Sequence, residues 1–392
     1  MSASFRDFTP DDAVSAAAAA LARDAGAPVV IEDCSRIGDE QRRNHVIRAV
    51  ARDAIGSRRN IIIKATRAAG YDAAAEDAVV RNGIAREWAA ASLLDRRGAC
   101  TARLLAADAA TGVLVFSDLG ADAAWLVAPL LHGSASEAEA ALLAYAISLA
   151  RLHAATVDCL AAYSSIVREA FPHARIPLAI GDAWLADAAG KASSLLGGSL
   201  PDSELALLRR RMQDPGPWLA LVHGDACPDN VLLTAQGAAL LDFEFAAPGH
   251  ALVDATYWRL GFPTCWCAGR IPDTVADRIE QAYRDALAAV IPEAQDTASY
   301  WRDYAAAVFV RLFASLGWNL ANALKADEIW GRAGLRSRIL WHLQAAIEAA
   351  ERGEALSELR RVAQDWLTGL RQSWPEAQPL PLYPAFAVPQ EG

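Results

Sequence analysis

The side chains best placed to do chemistry lie in residues 223–242. The stretch opens His223-Gly224-Asp225, runs on through Cys227, Pro228 and Asn230, and closes on Leu241-Asp242. It offers a carboxylate at Asp225, an amide oxygen at Asn230 and a second carboxylate at Asp242. Moving a phosphoryl group from a nucleotide to a hydroxyl needs such a set. One group must act as base near the acceptor, and two oxygen ligands must hold the metal that bridges the phosphates. Hard oxygen donors of this kind suit magnesium.

The flanking sequence says how these groups would be positioned. Gly224 and Pro228 mark an irregular loop that carries Asp225 and Asn230. Val231-Leu232-Leu233 predicts a short apolar strand, Gln236-Gly237 a turn, and Ala238 to Leu241 a second strand. A hairpin of this length is expected to bring Asp242 back beside Asn230, so that both oxygens face one cation. Asp225 is then left to orient and deprotonate a hydroxyl.

Upstream, Asn60-Ile-Ile-Ile-Lys64 is a β-branched run ending in lysine. It reads as a strand that delivers an ammonium group to nucleotide phosphates. Such a lysine needs a carboxylate to hold it, and two candidates stand nearby. Glu87 lies in Arg86-Glu87-Trp88, on a helix whose apolar face includes Leu93 and Leu94. Glu76 is nearer in sequence but falls in residues 73–77, which read as a loop or helix start. No Gly-x-Gly-x-x-Gly loop precedes Lys64. Only Gly38 separates Val29-Val30-Ile31 from Val46-Ile47, and the polar residues 39–44 are the expected phosphate cover. Gly112 to Phe116 predicts a further strand, followed by Ser117-Asp-Leu-Gly120.

His223-Gly224-Asp225 with Asn230, then Asp242-Phe243-Glu244, then Asp254, resembles the aminoglycoside phosphotransferase family of kinase-like enzymes. That family includes antibiotic, choline, homoserine, methylthioribose and fructosamine kinases. The resemblance spans roughly residues 30–260 and is strongest from Leu221 to Tyr257. It implies an α+β, two-lobed, protein-kinase-like fold. A small N-terminal lobe with an antiparallel sheet and an N-terminal helix would occupy residues 1–117. A large, mostly helical C-terminal lobe would occupy residues 118–373, ahead of a proline-rich tail over 374–392.

The resemblance also implies roles. Asp225 matches the catalytic carboxylate, and Asn230 and Asp242 match the metal ligands. His223 matches a residue that braces the loop, and Asp254 a buried acid that ties the loop backbone together. Glu87 stands where the family places the acid that pairs with the lysine, which favours it over Glu76. Backbone groups from Phe116 to Leu119 would meet the adenine edge. ATP and Mg2+ are the implied cofactors.

Composition sets outer bounds. The chain has 392 residues, enough for two domains, and its 54% apolar content is rich in alanine, which predicts closely packed helices. No run of eighteen uncharged apolar residues suggests a membrane span. Ala16 to Ala20 follow Asp7, Asp11 and Asp12, which outweigh Arg6. The start therefore reads as a helix capped by Thr9 ahead of Pro10 rather than a secretory leader. The six cysteines, Cys34, Cys100, Cys159, Cys227, Cys265 and Cys267, show neither a disulfide framework nor paired zinc spacing. That pattern fits a reducing, cytoplasmic setting. Cys227 has no partner set for nucleophilic work, and Cys265 and Cys267 read as small core or loop residues. A net charge of −10 argues against a nucleic-acid partner. It fits ordinary surface acidity better than a dedicated cation funnel.

In the second half, Glu137 to Ala155 predicts a helix, with Ser136 and Glu139 as its capping box and His153 as a packed residue near its end. Val275, Ile279, Tyr283, Leu287 and Val290 form a helical stripe, and Trp301 to Leu324 predicts a buried central helix. Trp258, Trp266, Trp301, Trp318, Trp330 and Trp341 fall in this region. Core packing is the favoured reading for each, ahead of an aromatic cage for a quaternary ammonium. Gly261 to Arg270 reads as a loop near the acceptor, with Arg270 available to an anion. The stretch from Trp374 is expected to be extended or mobile.

Together these features predict an ATP-dependent phosphotransferase acting on a hydroxyl of a small molecule, with aminoglycoside, sugar and amino alcohol acceptors all open. Neither nucleic acid nor membrane is expected as a partner. The alternative is a nucleotide-binding scaffold or sensor without transfer. Its signature would be loss of Asp225, Asn230 or Asp242, and all three are present. A protein kinase is disfavoured, because only about a dozen residues separate Asp242 from Asp254, too few for a regulated peptide platform.

Overall fold

The computed structural model describes residues 8–38, 43–67, 71, 73, 79–97, 101–174, 176 and 178–387. Glu76, Cys100 and most of the expected phosphate cover (39–42) lie outside the described residues. The chain is α+β and divides into two compact units. The first comprises Met1–Ala123, Leu160–Ile176 and Leu241–Ala246; the second comprises Ala124–Cys159, Pro177–Leu240 and Ala247–Gly392.

The first unit starts with helix α1 (Pro10–Ala25). Thr9 caps it as expected: its side chain accepts from the Asp12 N–H while Asp12 reaches back, and Pro10 fills the first turn. Strands β1 (Val30–Arg36), β2 (Asn44–Arg52) and β3 (Arg58–Thr66) follow, then helix α2 (Val79–Arg97) and strands β4 (Leu104–Asp108) and β5 (Val113–Ser117). The strands form one antiparallel sheet in the order β1-β2-β3-β5-β4.

Period-two alternation in β3 is what aims the lysine. Ile61, Ile63 and Ala65 point to one face and pack with Ala13, Ala17, Ala20 and Leu21 of α1. The small alanines let the helix approach the sheet closely. Ile62 and Lys64 therefore take the opposite face, where Ile62 joins a second apolar cluster with Ile84, Ala85 and Ala91 of α2.

The chain next gives β6 (Ala124–Trp125), α3 (Val127–His132) and α4 (Ala135–Ala155) to the second unit, and α5 (Leu160–Ala170) to the first. There, Tyr163 of α5 donates to the Ala246 carbonyl at 2.9 Å, and Phe171 just beyond α5 meets Trp88 edge-on. The α4 cap differs from the sequence expectation. Ser134 and Glu137 form the capping box, two residues earlier than Ser136 and Glu139. The Ser-x-x-Glu pattern occurs twice in register, and Glu139 is instead engaged by Arg278.

The second unit continues with α6 (Asp182–Leu196), α7 (Asp202–Gln213), β7 (Leu219–Val222), the hairpin β8 (Val231–Thr234) and β9 (Gly237–Leu240), β10 (Ala247–His250) and α8 (Leu252–Ala255). The expected hairpin forms, with Val231 opposite Leu240 and Thr234 opposite Gly237; its turn falls at residues 235–236, one earlier than Gln236-Gly237, so Gly237 opens the second strand. Helices α9 (Asp273–Leu287), α10 (Thr297–Lys325), α11 (Leu335–Arg352) and α12 (Ser357–Ser373) complete it.

Val275, Ile279, Tyr283 and Leu287 are buried on α9, whereas Val290 lies beyond the helix and is exposed. Among the described residues, α10 alone is by itself long and apolar enough to cross a membrane, and most of it is buried inside the protein. The helix is buried as expected over most of its length; near its end one face opens, so Trp318 is 55% exposed while Leu320 and Ala323 stay buried.

Residues 374–387 correct another expectation. They are not loose: Trp374, Leu380 and Tyr383 are buried, and the Arg270 N–H donates to the Pro381 carbonyl at 2.8 Å. Proline removes donors but keeps carbonyls, so this segment docks mainly as an acceptor strand.

His250 and His342 are buried in the second unit, and burial pushes both imidazoles down to about 3 from an ordinary 6.5. In the unfolded chain each takes up a proton below about 6.5, and in the folded chain neither does until about 3. Their contribution is therefore lost progressively as pH falls below about 6.5, at up to ~1.4 kcal/mol per pH unit for each ring. Urea unfolding should report a loss of about 3–4 kcal/mol between pH ~7 and pH ~5 from this pair, and His342→Gln should remove about half of that slope.

Candidate active site

In the first unit, the alternation of β3 carries Lys64 toward α2. Its ammonium group touches two carboxylates, Glu87 Oε2 at 2.5 Å and Asp242 Oδ1 at 2.6 Å. The lysine side chain is 13% exposed and that of Glu87 only 6%. Burial alone would discourage the charge on Lys64, but Asp242 and then Glu87 outweigh it and hold the ammonium above its ordinary range. Burial pushes the Glu87 carboxyl up, and Lys64 opposes that push.

Asp242 follows β9 with φ of 64°, a left-handed turn that an aspartate tolerates better than most residues. Glu244, one residue past Phe243, pairs with Arg43 at 2.5 Å. A cleft of about 340 Å3 opens beside this group, lined by Lys64, Thr66, Ile84, Glu87, Leu114 and Phe245 among others.

Phe116 and Leu119 sit in the same unit and share the apolar cluster of Ile84 and Leu114. Phe116 is paired within the sheet to Ile62 and Leu104. The N–H groups of Ser117 and Asp118 donate to the carbonyls of Arg103 and Asn60.

In the second unit, the loop between β7 and β8 carries His223, Asp225 and Asn230. Its backbone is tied down by a buried acid. Asp254 of α8 accepts from the N–H groups of His223 (2.5 Å) and Gly224 (3.1 Å). Its Oδ2 also meets His153 Nε2 at 3.3 Å, and Arg311 stands 3.6 Å from its Oδ1. Burial would raise this carboxyl, yet His153, Arg311 and His223 together hold it below the usual carboxylate range.

His153 is thus a packed residue, with its other nitrogen 2.9 Å from the Tyr283 hydroxyl. Tyr257 and Arg311 donate to the Gly224 carbonyl, and Tyr145 donates to that of Ala226. His223 Nδ1 accepts from the Asp225 N–H at 3.3 Å.

Asp225 itself is held from both sides. Thr264 Oγ1 (2.5 Å) and the Cys227 thiol (3.1 Å) donate to Oδ1. The Asn230 amide donates to Oδ2 at 3.1 Å and to the Asp225 carbonyl at 2.9 Å. Asn230 spends its NH2 on Asp225, which leaves its carbonyl oxygen as the donor suited to a hard cation. The two sets thus come together separately: Lys64, Glu87 and Asp242 in one unit; His223, Asp225, Asn230 and Asp254 in the other.

Thr264 was not singled out by the sequence, although its segment was. Its chemistry was legible only as one hydroxyl in a Gly- and Pro-bounded loop. Arg270 from that segment is occupied: it donates to the Leu380 carbonyl and stacks over Trp341. Three of the six tryptophans considered for an aromatic cage, Trp301, Trp330 and Trp341, already carry arginines of this chain on their faces. The Cys227 thiol is pushed up to about 12 by burial, which suits an inert group.

A family model described as a phosphotransferase enzyme family matches residues 73–292, more than half of the chain. No curated protein matches the sequence. Among solved structures, a choline/ethanolamine kinase family protein from Mesorhizobium loti is 17% identical, with 86% of this chain and 92% of that chain covered and a TM-score of 0.44. A putative fructosamine-3-kinase from Thermobifida fusca is 18% identical, with 86% and 99% covered and a TM-score of 0.43. An aminoglycoside 2'-phosphotransferase-IIIa solved with GDP is 14% identical, with 83% and 93% covered and a TM-score of 0.45.

Replacing Asp254 by alanine would leave two loop N–H groups without their acceptor and Arg311 without its carboxylate. Asp254→Ala should cost about 3–5 kcal/mol in chemical denaturation, and Asp254→Asn less.

Proposed function

Because the chain belongs to the phosphotransferase enzyme family, we propose that it transfers the γ-phosphoryl group of ATP to a hydroxyl of a small molecule. The observation that carries this reading is the buried Lys64 ammonium, held against both Glu87 and Asp242 at the edge of a cleft. A lysine fixed by one buried acid presents its charge to phosphate oxygens without having to be ordered on binding. The apolar Ile84 and Leu114 in the same cleft offer a surface for the nucleobase, and Phe116 and Leu119 extend that apolar cluster.

The donor chemistry fits magnesium. Asp242 supplies a carboxylate and Asn230 an amide oxygen, both hard ligands, and neither has a soft neighbour as its nearest partner. When bound, the ion neutralises charge on the phosphate oxygens. The chain's own residues do the rest. Lys64 binds phosphate and Glu87 orients it. Asp225 accepts the hydroxyl proton and aims the oxygen, while Thr264 and Asn230 fix the carboxylate in place. His223 and Asp254 hold the loop. Positioning and charge stabilisation supply most of the acceleration. The acceptor is a small hydroxylated molecule, with aminoglycosides, sugars and amino alcohols the leading classes.

Asp225→Asn should lower turnover by about 10²–10⁴-fold with the fold intact by circular dichroism. A variant with full activity would remove Asp225 from the chemistry. Asp242→Ala should abolish metal-dependent nucleotide binding in calorimetry, and unchanged binding would exclude it as a ligand. An ATP-consumption screen over hydroxylated metabolites and antibiotics identifies the acceptor.

A further inference from the structure

Three of the cysteines that look scattered in the sequence converge in the second unit. Cys227 lies on the loop before β8, and Cys265 and Cys267 flank Trp266 in the segment after α8. One ligand atom from each of Cys227, Asp229 and Cys265 falls within 4.8 Å of the other two. The Cys265 thiol stands 3.3 Å from Asp229 Oδ1, and Cys267 Sγ lies 2.9 Å from Cys265 Sγ. A tetrahedral ion with bonds of about 2.3 Å to sulfur has its ligands about 3.8 Å apart, which lies within the spread of Cys227, Asp229 and Cys265.

The backbone around these groups is fixed. Phe262 adopts φ of 57°, a turn that a bulky residue takes only when its surroundings impose it. Gly331 lies so close to the Trp266 carbonyl that a Cβ there would collide with it. That carbonyl also accepts from the Arg332 N–H at 3.0 Å. The cysteines are therefore presented by a rigid loop, which is the usual requirement for a selective metal site.

A second observation bears on charge. Arg338 is 1% exposed, and its guanidinium donates to the carbonyls of Cys265, Trp330 and Ala333. Among the described residues it forms no ion pair with a carboxylate. Burial works against its charge, and the groups that favour that charge are Cys265, Tyr383, Cys267 and Cys227. The three carbonyls and the Trp330 ring, 4.6 Å away, already stabilise the cation, and thiolate charge bound to a metal nearby would add to that.

We propose that Cys227, Cys265 and Asp229 form a site for a thiophilic divalent cation of the zinc class. Binding replaces the two thiol protons of Cys227 and Cys265, which leave to solvent, by one metal ion. Two thiolates and a carboxylate cancel the ion's charge and leave one negative charge in excess, which the buried Arg338 offsets in part. Sulfur ligands select against magnesium, so the site differs in chemistry from the hard-oxygen ligation proposed for the nucleotide's metal. Binding takes the proton that Cys227 donates to Asp225 Oδ1, so that Thr264 and Asn230 are left to hold the carboxylate. Metal there would pin the segment that carries Thr264 to the loop that carries Asp225.

The test uses the full chain, reduced and stripped with a chelator, and titrated with Co2+ as a spectroscopic probe. The wild type should take up one equivalent with a thiolate-to-cobalt charge-transfer band and the strong ligand-field bands of tetrahedral cobalt, and one equivalent of Zn2+ should bleach both. Cys265→Ser and Cys227→Ser should each weaken uptake by more than about 100-fold, beyond the usual reach of an outer-shell change. Cys34→Ser, on exposed β1, should leave it unchanged. The wild-type titration needs no variant to fold. Uptake without a sulfur-to-metal band, no uptake at all, or a Cys265–Cys267 disulfide that resists the reductant would each overturn the proposal.

Discussion

A single buried carboxylate organises the loop on which the proposed chemistry depends. Asp254 has no exposed surface, and an isolated charge in such a place would be costly. It is tolerable because four donors converge on it: two backbone N–H groups, His153 and Arg311. The same convergence runs in reverse. The backbone donors at His223 and Gly224, the first of them fully buried, need an acceptor inside the protein. The acid and the loop thus satisfy each other, and the loop conformation that places Asp225 follows from that exchange.

The first unit solves a parallel problem with opposite charge. Lys64 is nearly buried, and a lone ammonium there would lose its proton. Two carboxylates prevent that. Their supports differ in kind. Glu87 comes from the middle of α2, where packing against the sheet fixes it. Asp242 sits in a left-handed turn after β9 and remains 40% exposed. One partner is built into the core and one is left accessible. That asymmetry is what a phosphate site needs, because the accessible acid can exchange its lysine contact for a ligand while the buried acid keeps the lysine charged and aimed.

Much of this was legible in the sequence because local rules and tertiary demands agreed. The β-branched run from Asn60 to Lys64 predicted the strand, whereas the face on which the lysine stands is set by α1 packing on the other side. The apolar runs on either side of Gln236-Gly237 predicted the hairpin, although its turn falls one residue earlier. Thr9 ahead of Pro10 predicted the first cap. The misses share a cause, which is that competing local patterns are settled by distant partners. Ser134 and Ser136 both head a Ser-x-x-Glu pattern, and Arg278, far along the chain, claims Glu139. The proline-rich stretch after Trp374 has the composition of a tail, yet its apolar side chains find a surface between α11 and the Arg270 segment. The convergence of Cys227 with Cys265 and Cys267 has no signature in spacing, because it is made by the fold and not by the chain.

The donors around Asp225 bear on how the proposed reaction would run. A phosphoryl group in flight passes through a loose transition state, in which bond formation to the acceptor lags bond breaking. Early proton removal from the acceptor then contributes little, and accurate aim contributes much. Thr264, Cys227 and Asn230 each add one hydrogen bond to the carboxylate, and between them they fix both of its oxygens. Such a carboxylate is built to point. Thr264 is the member of this set that comes from the segment after α8, and Tyr257, which touches its hydroxyl at 3.1 Å, also holds the Gly224 carbonyl. Movement of that segment would therefore reach the carboxylate through one side chain and the loop backbone through the other. Residues that contact no phosphate would in this way share control of where the acceptor oxygen is aimed.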